Sequence, residues 1–210
     1  MSKIIIACDE SDHRLGDYFH RTNQYLMSFL EDYNFAFRNI NSQNCHQAHI
    51  DNILENIKKP LVFVSFSHGN SNSLRCNGVA YLATDNIASL HTSFVYAMSC
   101  SAAAELGATF TEQKGVFIGF NKEIDAVISG DHVQKCIECD NSGIIFAFSN
   151  PDGTLKDAYK AMKKYYTNII DKLYDMKAQA LYIGYFINMR NSLKIIGNEN
   201  LTIKEIFTAK

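Results

Sequence analysis

Apolar residues in this chain fall into short unbroken runs, and these alternate with stretches whose apolar positions recur every three or four residues. Lys3 to Cys8 is the first run and reads as a strand, followed by the acidic segment Asp9-Glu10-Ser11-Asp12. Asp17 to Tyr33 has helical spacing, with Phe19, Leu26, Phe29 and Leu30 on one side. Phe35 to Ile40 alternates as a half-buried strand, and Cys45 to Ile57 returns to helical spacing through Ile50, Ile53, Leu54 and Ile57. Leu61 to Ser67 is wholly apolar apart from its serines, the pattern of a parallel strand covered on both faces. Leu74 to Leu82 centres on Asn77-Gly78, a strong hairpin-turn signal. Thr84 or Asp85 can cap a short helix reaching Leu90.

Ser93 to Met98 is the next strand, Ala102 to Phe110 a helix opening just after Cys100, and Gly115 to Gly119 another strand. Ile137 to Phe148 fits either helix or strand. Leu155 to Met176 predicts a long helix started near Asp152-Gly153-Thr154. Lys177 to Asn191 also reads as helical, and Leu193–Ile196 with Ile203–Phe207 closes the chain. Strands alternating with helices predict an α/β fold with a mostly parallel sheet. At 210 residues the expectation is a single domain over 1–210, helical from about 154.

Composition narrows the function classes. The chain is 47% hydrophobic and 20% charged, and 20 Lys and Arg stand against 22 Asp and Glu, with no basic block to favour nucleic acid. The first apolar run is too short for a signal peptide, and no run approaches the roughly 20 residues of a membrane-spanning helix. The expected location is therefore the cytoplasm, without a membrane partner. The 6 cysteines then read as reduced thiols.

Candidate chemistry lies at two strand ends. Leu61–Ser67 runs into His68-Gly69, and Ser93–Ser99 runs into Cys100. Functional groups of an open parallel sheet gather beyond the carboxyl ends of its strands. Consecutive strand–helix–strand units place their strands side by side, so the two tips are expected to face one another. A helix opening after Cys100 would favour its thiolate. His68 would take the thiol proton or protonate a leaving amine. The backbone N–H groups of Gly69 and Cys100 are the candidate oxyanion donors.

On these residues the chain resembles the caspase-like cysteine peptidases, the clan of caspases, separase and clostripain. It is most similar to the bacterial CHAT protease group. His68-Gly69, a small hairpin, a capped helix and a strand ending Ser99-Cys100 follow in that group's order. Ala102 to Gly107, the strand Gly115–Gly119 and the helix entry Gly153 to Ala158 add to the likeness. The resemblance implies a caspase-like three-layer α/β/α sandwich and peptide-bond hydrolysis with Cys100 as nucleophile and His68 as its partner, without metal or organic cofactor. It further implies a protein or peptide substrate, a regulatory partner or sensor, and a role in bacterial defence. The chain departs from the caspase signature with Met98-Ser99-Cys100-Ser101-Ala102, and it contains no Trp.

In that fold the end of the first strand borders the substrate pocket. Asp9, Glu10 or Asp12 could pair with a basic residue at P1, the residue whose carbonyl is attacked. Met98 would supply an apolar wall, and Asp125 could supply the charge instead. A solvated acidic loop explains the same cluster. His132-x3-Cys136-x2-Cys139-Asp140 has metal-like spacing, and two thiols on an ordinary segment explain it equally. A catalytically silent caspase-like binding module is the alternative to the peptidase. A nucleotide-binding reading is weakened because the turn after the first strand lacks a Gly-rich loop.

Overall fold

The computed structural model describes residues 3–111, 114–124, 130 and 132–209. Its centre is a six-stranded sheet in the order β2 (Phe37–Ile40), β1 (Ile4–Cys8), β3 (Val62–Phe66), β7 (Phe94–Ala97), β8 (Val116–Phe120) and β9 (Leu193–Gly197). Pairing is parallel throughout, except that β9 runs antiparallel to β8. Every residue of β1, β3, β7 and β8 is buried, as expected of strands covered on both faces.

Alternate side chains of these strands feed two cores. Ile4, Ile6, Val62, Val64, Tyr96 and Ile118 face one layer, which holds α1 (Gly16–Asp32), α4 (His132–Ser149), α5 (Leu155–Asp175), α6 (Ala180–Ser192) and α7 (Ile203–Thr208). Ile5, Phe63, Val95 and Phe117 face the other, which holds α2 (Gln47–Asn56), a 3-10 turn at Ile87–Leu90 and α3 (Glu105–Thr111). The result is a three-layer α/β/α sandwich with a mostly parallel sheet. No helix among the described residues is long and apolar enough to cross a membrane.

Local chemistry explains most of the boundaries. A small antiparallel sheet of β4 (His68–Gly69), β5 (Ser73–Cys76) and β6 (Val79–Ala83) follows β3. It turns through Asn77 and Gly78, at φ 50° and 76°, the double left-handed step of a tight hairpin. Thr154 caps α5 and Thr202 caps α7, each through a reciprocal box with Asp157 and Glu205.

The structure decides one open reading and departs from two expectations. The segment that fitted either helix or strand is α4, whose stripe Cys136, Ile137, Cys139, Asp140, Ile144, Ala147 and Phe148 is buried at helical period. The turn at Ile87–Leu90 is capped by neither Thr84 nor Asp85; Asn86 precedes it, and its side chain accepts from the N–H of Ala83 instead. The helix after Cys100 begins only at Glu105, with turns over 101–104. Ser101 at φ 55° explains the delay, since the left-handed region cannot continue into an α-helix.

Phe117 is fully buried beneath the sheet. Replacing it with Ala should lower the unfolding free energy by about 3–5 kcal/mol in urea titrations followed by circular dichroism. The exposed Tyr174, changed to Ala, should move it by no more than about 0.5 kcal/mol.

Candidate active site

β3 and β7 pair directly, with Ser65 opposite Ala97, so the chain segments leaving them run side by side at the carboxyl edge of the sheet. His68 and Cys100 each lie three residues beyond that last pair. Both line one cleft, with Ser67, Ser99, Met98 and Phe19 around them. A Cβ added to Gly69 would lie 2.9 Å from the Cys100 carbonyl oxygen and 2.9 Å from Ser99 Cβ. The two tips therefore touch through glycine backbone, an approach a side chain would block.

The His68 ring is fixed from the β1–α1 connection. Its Nε2 donates to Asp12 Oδ2 at 3.2 Å, and Phe19 meets the ring edge-on with centroids 5.3 Å apart. Asp12 is itself held by the backbone N–H groups of Leu15 and Arg14, at 2.7 and 2.9 Å to Oδ1. Partial burial pushes its carboxyl up, but those two amides and His68 outweigh it and hold the group below its ordinary value. Asp12 is thus a carboxylate anchored to backbone on one oxygen and to His68 on the other.

Cys100 is half-buried. Because α3 starts three residues later than the sequence pattern predicts, the helix-end field is not what bears on the thiol. The N–H of Ile124 donates to Sγ at 3.4 Å, and the thiol lies 3.8 Å from the Ile124 carbonyl oxygen. A layer of buried hydroxyls lies below. Ser65 Oγ is 2.7 Å from Tyr81 Oη and 3.0 Å from Ser67 Oγ, and Ser99 Oγ is 3.4 Å from Ser65 Oγ. Each satisfies the next, so polar atoms sit beneath the tips without a buried-group penalty. Serine alternating into the apolar run of β3 was the available signal for this layer.

The other candidate residues are placed as follows. Met98 lines the cleft. Asp9 does not: it is wholly buried, accepting from Cys76 Sγ at 3.2 Å and from the Asn77 N–H at 3.1 Å, and so ties β1 to the hairpin. Glu10 does not line it either and pairs with His20 at 3.1 Å. Asp125 lies outside the described residues. Cys136 and Cys139 are buried on α4, where burial first and Asp140 second push both thiols up. His132 stacks on Tyr182. These groups do not converge as a metal site; among the described residues the one trio close enough to share an ion is Asp9, Asp12 and His68.

Asp140 belongs to the cleft, not to a metal set. It accepts from Tyr18 Oη at 2.6 Å and Tyr166 Oη at 2.7 Å. Its sequence signal was a carboxylate on the apolar stripe of a helix.

No protein-family model matches the chain, and no curated protein matches it. Among solved structures, the crystal structure of the Arg-specific cysteine proteinase gingipain R is similar, with a TM-score of 0.58 at 11% identity. The match covers 97% of this chain and 48% of that one, so the chain spans about half the length of that proteinase. At this identity the likeness shows a shared fold, and that fold is caspase-like.

Burial pushes the Asp140 carboxyl up to about 6, against the pull of the Tyr166 and Tyr18 hydroxyls. The folded chain therefore keeps this proton over a pH range in which the unfolded chain, with an ordinary carboxyl near about 3.9, has lost it. The group costs nothing below that range, and its cost grows to about 3 kcal/mol as pH rises from about 4 to above about 6. Urea unfolding at a series of pH values should show the wild type losing that much stability relative to Asp140→Asn across this interval. Above about pH 7 the difference should be level.

Proposed function

We propose that the chain is a cysteine endopeptidase working through Cys100 and His68. The observation that carries this reading is the convergence of both side chains, from neighbouring strand tips, in one cleft, with Asp12 bound to the far side of the imidazole. The fold shared with a cysteine proteinase supports it.

The chemistry follows from the placement. With Nε2–H committed to Asp12, Nδ1 is the nitrogen left to exchange the proton of the thiol. The Cys100 thiolate attacks the scissile carbonyl carbon, and the N–H groups of Gly69 and Cys100 receive the oxyanion. The tetrahedral species collapses to a thioester as the C–N bond breaks, and the amine leaves with the proton held by His68. Water then gives a proton to His68 and attacks the thioester, releasing the acid and restoring the thiol. Asp12 is a positioning residue: it fixes the tautomer and offsets the imidazolium charge.

On the same reading the enzyme is of the CHAT kind, acts on a protein or peptide in the cytoplasm, and is held in check by a partner or sensor protein in bacterial defence. The order of His68-Gly69, hairpin, strand and Cys100 supports that assignment.

The test is alkylation by peptidyl acyloxymethyl ketones, with the adduct located by mass spectrometry. Cys8, Cys45, Cys76, Cys136 and Cys139 are each no more than 3% exposed, so selectivity for Cys100 follows from burial alone. Dependence on His68 is the informative result. His68→Ala should slow alkylation by about 10²–10⁴-fold, and labelling that ignores this change would overturn the reading. Asp12→Asn should lower the maximal alkylation rate at least about 10-fold, leave the half-saturating probe concentration unchanged, and be rescued in part by Asp12→Glu.

Gly69→Ala should abolish this alkylation while the chain still folds, because the new methyl meets the Cys100 carbonyl at 2.9 Å. Circular dichroism beside the labelling assay separates the two outcomes.

A further inference from the structure

The cleft holds a charge that the peptidase chemistry does not use. Asp140 lies in it at 3% exposure, and its two oxygens accept one tyrosine hydroxyl each. An ionised carboxylate offers about four acceptor positions, so about two remain open. Among the described residues no cation pairs with it. The ion pairs of the described residues fall on Glu10, Asp12, Asp17, Asp152 and Glu199. A buried charge without a counter-ion is costly, and that cost is visible in the carboxyl being moved up to about 6, still ionised at neutral pH.

Beside the polar Ser67, His68 and Ser99, the cleft that Asp140 lines is mostly apolar or aromatic, with Phe19, Met98, Phe120, Ile124, Tyr185 and Met189. Tyr185 lines the cleft together with Asp140 and Cys100. An apolar channel closed by a carboxylate fits a side chain with a hydrocarbon stem and a cationic tip. The fit is best for a planar fork that can use both open acceptor positions.

We propose that Asp140 is the specificity determinant of this site, receiving the guanidinium or ammonium group of an Arg or Lys at P1. The proposal deepens the peptidase reading and rests on it. The acids at the end of β1 cannot take this role, because Asp9 is spent on the hairpin, Glu10 on His20 and Asp12 on His68. A neutral side chain in the channel leaves the carboxylate unpaired, and an acidic one is repelled by it, so discrimination comes from the wrong occupants as well as the right one.

The full chain is treated with acyloxymethyl ketones that differ only at P1: arginine, lysine, citrulline, leucine and aspartate. The rate of Cys100 alkylation is followed by mass spectrometry. Arginine and lysine should react at least about 10-fold faster than citrulline, which matches arginine in shape without its charge, and aspartate should be slowest. Asp140→Asn should erase the arginine-to-citrulline ratio and bring the leucine probe closer to the arginine probe, because loss of the carboxylate removes both the attraction for the cation and the penalty on a neutral side chain. The citrulline comparison needs no variant, so it stands even where Asp140→Asn does not fold. Equal rates for arginine and citrulline, a preference for leucine or aspartate, or a ratio that survives Asp140→Asn would overturn the assignment to Asp140 and leave the peptidase reading intact. Peptide probes that alkylate Cys100 no faster than iodoacetamide, and without need of His68, would overturn both.

Discussion

The register between β3 and β7 is the constraint on which the site depends. Side chains alternate across a sheet, so a slip of one residue would send every buried side chain of a strand to the opposite layer. In these strands both layers are apolar, yet the slip is still forbidden, because the serines and alanines at one end are matched to particular neighbours. Ser65 must meet the hydroxyls of Tyr81, Ser67 and Ser99, and Ala97 must leave room beside Gly119, where an added Cβ would lie 2.7 Å from the Ala97 carbonyl. With that register set, His68 and Cys100 leave the sheet level with each other, and the glycine after His68 lets the two backbones close.

Around that pair, the remaining elements take complementary tasks. The β1–α1 connection supplies Asp12 and Phe19, which hold the imidazole from two directions. The antiparallel hairpin supplies Tyr81, the hub of the hydroxyl layer. Helix α4 supplies Asp140 to the cleft and α6 supplies Tyr185 and Met189, with Asp140 held between the hydroxyls of Tyr18 on α1 and Tyr166 on α5. Strand order turns back at β1, which has β2 on one side and β3 on the other, and the Asp12–His68 contact spans the crevice that such a reversal leaves, beside the tips of β3 and β7.

The strands, and the placing of His68 and Cys100 just beyond two of their tips, were readable from the sequence because local pattern fixes them. An apolar run such as Leu61–Ser67 has few alternatives to a buried strand, and a His-Gly or Cys at its end inherits a position in the fold. What could not be read depends on groups distant in the chain. Asp12 looked like one of several acids facing a substrate, and only the folded connection turns its carboxylate onto His68. Asp140 looked like a fourth ligand to a metal, and only the packing of α4 against α1 and α5 gives it two tyrosine hydroxyls. The helix after Cys100 was expected too early because Ser101 carries no sequence mark of its left-handed backbone.

The cleft draws its walls from Leu15 at one end of the chain to Met189 near the other. During synthesis, residues 1–100 emerge first and carry both the imidazole and the thiol, while the floor on α4 and the wall on α6 follow much later. Synthesis proceeds from the amino-terminal end at roughly 5–20 residues per second, so for several seconds His68 and Cys100 exist without the far side of the cleft beside them. The order of elements along the chain thus acts as a timer: the ribosome must release α6 before the cleft can close around anything.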